Sequence, residues 1–195
     1  NWIKSDMKVG YLVTGRLKST RLPRKLLLEI KGKPIISHMI DRLKLANKVD
    51  EIIICTSINK QDKPLGSIAK ENNIQCYFGD PDDVLVRLLG AADEFGLDYI
   101  LNITADCPFV DPDYADRIVE KYIETGADLI RQFDLPHGVF SYGIKVEALK
   151  KVVALKDSSD TEVWGRYFTD TGMFKVVDFN VVDKHHYRPG LRMTL

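Results

Sequence analysis

Apolar residues along the chain fall into two alternating kinds of run. The first kind is short, continuous and rich in β-branched residues: residues 8–14 (KVGYLVT), 51–57 (EIIICTS), 75–78 and 99–103. Runs of this type predict strands buried on both faces. The second kind recurs at three- and four-residue spacing. Ile35, Ile36, Met39, Ile40 and Leu43 form one stripe, and Tyr114, Ile118, Val119, Tyr122 and Ile123 form another. A third stripe, Val84, Leu85, Leu88, Leu89, Ala92 and Phe95, belongs to a helix expected to begin near Pro81. A shorter helix is expected over 64–72. Strands alternating with amphipathic helices call for an α/β fold, a mainly parallel sheet covered by helices on both faces.

Beyond Asp128 the rhythm changes. Residues 138–146 and 174–182 read as strands, and 147–155 and 162–169 as short helices. This stretch is expected to be a subregion or dimerisation arm, about 138–182, on a single domain of residues 1–195. No Gly/Ser-rich linker, internal repeat or low-complexity segment interrupts it.

Composition narrows the function classes. The chain is 45% hydrophobic and 29% charged, as in an ordinary soluble globular protein. It has no run of 18 apolar residues, so no membrane span is expected, and NWIKSDMKVG lacks the apolar stretch of a secretory signal. Cys55, Cys76 and Cys107 are odd in number and widely spaced, which fits neither a disulfide framework nor a zinc site and suits a reducing cytoplasm. The net charge is zero but unevenly spread. Residues 1–25 carry seven Lys/Arg against one Asp, and residues 77–100 carry six Asp/Glu against one Arg. A basic loop facing acidic segments suits an anionic ligand with a metal better than a nucleic-acid surface.

In open α/β sheets ligands bind where loops leave the carboxyl ends of strands. The loop after the first strand, GRLKSTRLPRK (residues 15–25), holds Arg16, Lys18, Arg21, Arg24 and Lys25 with Ser19 and Thr20 among them. Arg forks match phosphate oxygens in pairs, Lys adds a mobile charge, and hydroxyls complete the cradle. Neither GxxxxGK[ST] nor GxGxxG is present. Composition alone leaves a solvated basic loop as an equal alternative; position between a buried strand and a helix favours a triphosphate. In the loop after the fourth strand, TADCPFVDP, Asp106 stands just past the strand end, where a carboxylate holds Mg²⁺ or simply makes a turn before Pro108. Asp111, Pro112 and Asp113 read as a helix start, and Asp80, Pro81, Asp82 and Asp83 repeat that grammar. His185 and His186 are adjacent and lack a third ligand at metal spacing. Trp164, Tyr167 and Phe168 read as core or interface.

The pattern R-x-x-S-x-R-L-P-x-K-x-L followed by G-K-P-x-I, here Arg16, Ser19, Arg21, Leu22, Pro23, Lys25, Leu27, then Gly32, Lys33 and Pro34, resembles the signature of the sugar-activating cytidylyltransferases. These include the 3-deoxy-manno-octulosonate and acylneuraminate enzymes and the spore-coat polysaccharide biosynthesis protein F group. The resemblance continues through ICTS, GDPDDVLVR and TADCPFVDP to about Glu124. It implies a Rossmann-like, glycosyltransferase-A-type fold, CTP and an acidic sugar as substrates, Mg²⁺ as cofactor and a homodimer. It implies that Asp106 ligates the metal. Gly15, Thr56, Gly79, Asp83, Arg87 and Asn102 then line the nucleotide site with the loop residues Arg16, Ser19, Arg21 and Lys25. Attack by a sugar hydroxyl on the α-phosphorus would release pyrophosphate, with Arg16, Arg21 and Lys25 neutralising the departing charge. Three positions depart from the pattern. Arg24 stands where the family often has Gly, Asn102 where Arg or Gln is expected, and Ala105 where Gly is expected. The family's L-R-x-T-x-D carries a second metal-ligating Asp, and the sequence here runs to LRMTL, residues 191–195.

Overall fold

A computed structural model describes residues 6–18, 22, 24–181 and 183–195. The chain runs β1 (Val9–Thr14), a 3-10 turn (Lys25–Leu27), β2 (Glu29–Ile30), β3 (Lys33–Pro34), α1 (Ile35–Leu43) and β4 (Glu51–Ser57). A second 3-10 turn (Lys60–Asp62) leads to α2 (Pro64–Glu71), β5 (Gln75–Gly79), α3 (Val84–Glu94), β6 (Tyr99–Thr104) and α4 (Pro112–Thr125). The chain continues through β7 (Leu129–Arg131), β8 (Tyr142–Lys145), α5 (Val146–Leu155), α6 (Arg166–Thr169) and β9 (Val176–Asp178).

The main sheet has seven strands in the order β5-β4-β1-β6-β8-β7-β9, and β2 and β3 form a separate hairpin. The four strands β5, β4, β1 and β6 are parallel to one another. β8 runs antiparallel between β6 and β7. The mainly parallel α/β architecture expected from the run pattern is the one observed. The continuous apolar runs exist because each parallel strand supplies two cores. Val9, Tyr11 and Val13 of β1 pack with α1, α2 and α4 on one face, and Leu12 packs with α3, α5 and α6 on the other.

Within the expected subregion 138–182, β8 and β9 are strands of the main sheet. Two local expectations are corrected. α3 does not begin near Pro81; it begins at Val84, with Asp83 as its N-cap. The helix expected over 162–169 is confined to Arg166–Thr169, because Trp164 is anchored in the core against Phe168 before the helix begins. The hairpin and β7 have no counterpart in the apolar pattern, being two or three residues long. At the hairpin turn Lys31 and Gly32 both have positive φ, as a two-residue turn requires.

Gly143 shows how closely β8 is fitted. A Cβ there would lie 2.1 Å from Tyr99 Oη and 2.5 Å from Ile118 Cγ2, both buried. Gly143→Ala is therefore expected to destabilise the fold by about 1–3 kcal/mol through overpacking, read as a lower urea midpoint at unchanged m-value. A midpoint equal to that of the parent chain would show that β8 yields at no cost.

Candidate functional site

From β1 the chain moves outward to β4 and β5, then returns beneath the sheet through α3 to β6 on the other side of β1. The strand order thus reverses between β1 and β6, and the crevice outside their carboxyl ends is the position where open α/β sheets hold ligands. The loops after these two strands meet there. Gly15 N–H donates to Cys55 O (3.3 Å), Ala105 N–H donates to Thr14 O (2.8 Å), and a Cβ on Gly15 would lie 2.7 Å from Ala105 Cβ. Only glycine at position 15 lets the two loops approach so closely.

Lys25 and Asp106, from those two loops, form an ion pair: Lys25 Nζ is 2.8 Å from Asp106 Oδ2. Thr104 Oγ1 donates to Asp106 Oδ1 (2.7 Å) and fixes the carboxylate from the opposite side. Burial pushes the Asp106 carboxyl up. The Lys25 ammonium and the Thr104 hydroxyl more than reverse this, so the group titrates below the usual carboxylate range. Lys25 Nζ also donates to Leu195 O (2.9 Å), and Leu195 N–H donates to Asp106 O (3.0 Å). Asp106 is a charged, half-buried carboxylate that already faces a cation. Among the described residues no cluster of three or more His, Cys, Asp or Glu could hold a metal. A divalent ion at Asp106 would therefore complete its shell with phosphate oxygens and water.

Arg16 and Arg87 make the second constellation. Arg16 NH1 donates to Pro81 O (2.7 Å) and approaches Asp82 Oδ1 (3.4 Å), while its NH2 lies 3.8 Å from Glu162 Oε1. Arg87 NH1 donates to Asp80 O (2.6 Å) and also reaches Pro81 O (3.3 Å), so both guanidinium groups converge on one carbonyl. The N–H groups of Asp83 and Asp82 donate to the Asp80 carboxylate and hold it below its usual range.

The other residues expected at the nucleotide site are held by contacts within the fold. Asp83 is withdrawn from solvent. It is 3% exposed and caps α3, its Oδ1 accepting from Val86 N–H (3.1 Å) and the Thr161 hydroxyl (2.8 Å), while Oδ2 pairs with Lys156. The Thr56 hydroxyl is buried with no hydrogen-bond partner among the described residues. Asn102 is buried and ties β6 to β1, its Nδ2 donating to Leu12 O (3.0 Å). Gly79 packs beneath Tyr77 and Arg87, where a Cβ would sit 2.6 Å from the Tyr77 ring. Ser19 and Arg21 lie outside the described residues. Arg24 has φ 54° and ψ 28°, the left-handed conformation that glycine adopts without strain and other residues at a cost of about 1–2 kcal/mol. That accounts physically for the glycine expected at this position. Thr104, Lys156 and Thr161 are partners that the sequence pattern does not mark; only Thr104, two residues before Asp106, has a local signal.

The thiols take no part in this chemistry. Burial raises Cys55 and Cys76 to about 12 and Cys107 to about 11, so none is a thiolate nucleophile at neutral pH. No helix among the described residues is long and apolar enough to cross a membrane.

Known proteins resemble the chain along most of its length. An uncharacterised protein of Methanocaldococcus jannaschii is 27% identical over 193 residues, 97% of this chain and 78% of the other. The spore coat polysaccharide biosynthesis protein SpsF of Bacillus subtilis is 23% identical over 160 residues, 78% of this chain and 67% of the other. The chain spans about half the length of the 3-deoxy-manno-octulosonate cytidylyltransferase of Geobacter sulfurreducens (26% identity, 62% of this chain, 48% of the other). A solved cytidylyltransferase from Leptospira borgpetersenii superposes with a TM-score of 0.87 at 24% identity, covering 97% of this chain and 81% of that one. A CMP:2-keto-3-deoxy-manno-octonic acid synthetase complexed with CTP superposes with a TM-score of 0.73 at 16% identity, covering 89% and 90%. The cytidylyltransferase family model matches residues 11–174, which take in most of β1, the basic loop, β4, β5, β6 and Asp106. This chain belongs to the cytidylyltransferase family.

Proposed function

We propose that the chain transfers CMP from CTP to the hydroxyl of an acidic sugar of the eight- or nine-carbon ulosonic type, releasing pyrophosphate. The observation that carries this reading is the meeting of Lys25 and Asp106 at the β1/β6 crevice, one mobile cation and one half-buried carboxylate on adjacent loops. Similarity to a polysaccharide biosynthesis protein and to octulosonate cytidylyltransferases supports the acceptor class and a setting in surface polysaccharide or glycoconjugate synthesis.

In the reaction the sugar hydroxyl oxygen bonds to the α-phosphorus and gives its proton to solvent water, the bond from that phosphorus to the bridging oxygen breaks, and the electron pair leaves on pyrophosphate. Lys25 and Arg16 exchange their present carboxylate and carbonyl partners for phosphate oxygens and neutralise the charge on the leaving group. Mg²⁺ fits the site, since Asp106 offers it one charged oxygen ligand; when bound it polarises phosphate oxygens and neutralises charge. Thr104 keeps Asp106 aimed toward the crevice.

Thermal-shift measurements with each of the four nucleoside triphosphates, with and without Mg²⁺, test the reading. CTP at about 100 times its Kd is expected to raise Tm by roughly 5–10 °C, selectively and with Mg²⁺ present. Equal shifts with all four triphosphates would count against a cytidine pocket, and a larger shift with another triphosphate would select a second reading, the same chemistry with another base, which the buried, sheet-bound Asn102 favours. No shift with any of them sinks both. Pyrophosphate release with a panel of ulosonic acids then identifies the acceptor.

A further inference from the structure

Beneath the basic loop lies a carboxylate that the nucleotide chemistry does not use. Asp62, the last residue of the 3-10 turn after β4, is fully buried. Its Oδ1 accepts the Leu17 N–H at 2.7 Å, and its Oδ2 accepts the Ser57 hydroxyl. Ser57 Oγ is held in turn by Asn59 N–H at 3.2 Å. Among the described residues no cation lies within ion-pair distance of Asp62, so hydrogen bonds compensate its burial. A charge is costly to bury in this way unless its acceptor capacity is used.

Leu17 is the residue that follows Arg16. Its side chain is buried in the core on the α1/α2/α4 face, and its backbone is tied to Asp62. On the other side Gly15 N–H is tied to Cys55 O. Arg16 is therefore carried between two fixed backbone points, and Lys18 is the first residue beyond the second one. Loss of the Asp62 tether frees the Leu17 amide and lets both side chains wander, so the entropy of fixing them falls on ligand binding instead of on folding.

We propose that Asp62 is the positioning residue of the phosphate loop, acting through the Leu17 amide on the aim of Arg16 and Lys18. This rests on the reading of the loop after β1 as the triphosphate site, and it extends that reading to a residue in the turn after β4. The effect depends on phosphate number, because the loop holds the phosphates and not the base. It also depends on acceptor geometry more than on charge. In Asp62→Asn the amide oxygen accepts from Leu17 while the amide N–H₂ donates to Ser57, so the tether survives without its charge.

Calorimetric binding of CTP and CMP to the parent chain, Asp62→Ala, Asp62→Asn and Ser57→Ala decides the matter. Asp62→Ala is expected to weaken CTP about tenfold, the scale of one hydrogen bond to a charged group, and CMP less than about twofold. Asp62→Asn is expected to bind CTP within about twofold of the parent, and Ser57→Ala to show the alanine pattern more weakly. Equal losses for CTP and CMP, or no loss for CTP, overturn the proposal. If Asp62→Ala does not fold, Asp62→Asn and Ser57→Ala carry the comparison. Ligand-free amide exchange at Leu17 separates this inference from the nucleotide assignment. It is expected to speed up at least about tenfold in Asp62→Ala or, if that variant does not fold, in Ser57→Ala, and to stay slow in Asp62→Asn. Unchanged exchange refutes the tether whatever the nucleotide. Exchange that is slow in the parent and fast in Asp62→Ala, in a chain that binds no CTP, refutes only the CTP assignment.

Discussion

Asp83→Ala is expected to lower the free energy of unfolding by about 3–5 kcal/mol, the scale of stripping one partner from a buried ion pair. Three losses coincide at this residue. The N-cap of α3 disappears, worth about 1 kcal/mol by itself. Lys156, whose side chain is 12% exposed, is left without its carboxylate. The Thr161 hydroxyl, which donates to Asp83 Oδ1 and accepts from Leu85 N–H, loses its acceptor. Urea denaturation followed by Trp164 fluorescence measures the effect, since Trp164 lies three residues past Thr161 and packs in the same core. Asp83→Asn should fall between parent and alanine variant, because it keeps an acceptor for the cap and discards the charge. A loss below about 1 kcal/mol in Asp83→Ala would mean that Lys156 finds water easily and that the clasp between α3 and residues 156–161 is weak.

Asp106→Ala is expected to reduce pyrophosphate release by about 10²–10³-fold under saturating CTP and Mg²⁺. The sign of its effect on binding is more informative. Without Asp106 the Lys25 ammonium loses the partner it holds at 2.8 Å, and a negative charge leaves the crevice. CTP affinity measured in EDTA should therefore rise, while the gain in affinity on adding Mg²⁺ should vanish. Calorimetry in the two buffers gives both numbers. Weaker CTP binding in EDTA would show that Asp106 supports the loop structurally, through Thr104 and the Leu195 backbone, instead of competing for Lys25.

The parallel half of the sheet was legible because its strands are buried on both faces. EIIICTS predicts the limits that β4 has, since Ile52, Ile53, Ile54 and Cys55 run without a polar interruption and alternate between the two cores. The two halves of the site were legible for a related reason: both stand at strand ends, where topology alone confers importance on a charge. The Asp-Pro-Asp grammar was half reliable. At Asp111 it marks the N-cap of α4, with Asp113 and Tyr114 donating their N–H groups to it. At Asp80 the same letters make a turn, and the cap falls to Asp83. The difference lies in Lys156 and Thr161, more than seventy residues away, which no local window contains. Asp62 was invisible for the opposite reason. The segment NKQDK is polar throughout and reads as solvated, yet its aspartate is buried and bonded to the Leu17 amide of the basic loop. β7 and β9 are three residues each, and their pairing is set by the sheet they join more than by a pattern of their own.

The left-handed backbone at Arg24 sets a conflict for anyone evolving this chain toward heat resistance. Glycine there would relieve local strain, and a screen that scores survival at high temperature would reward it. The same change removes an exposed cation from the loop proposed to hold the triphosphate, and on that reading a screen that scores turnover would reject it. Selecting on one property alone would therefore drive residue 24 in opposite directions, and only a screen that scores both can say which pressure a given host imposes.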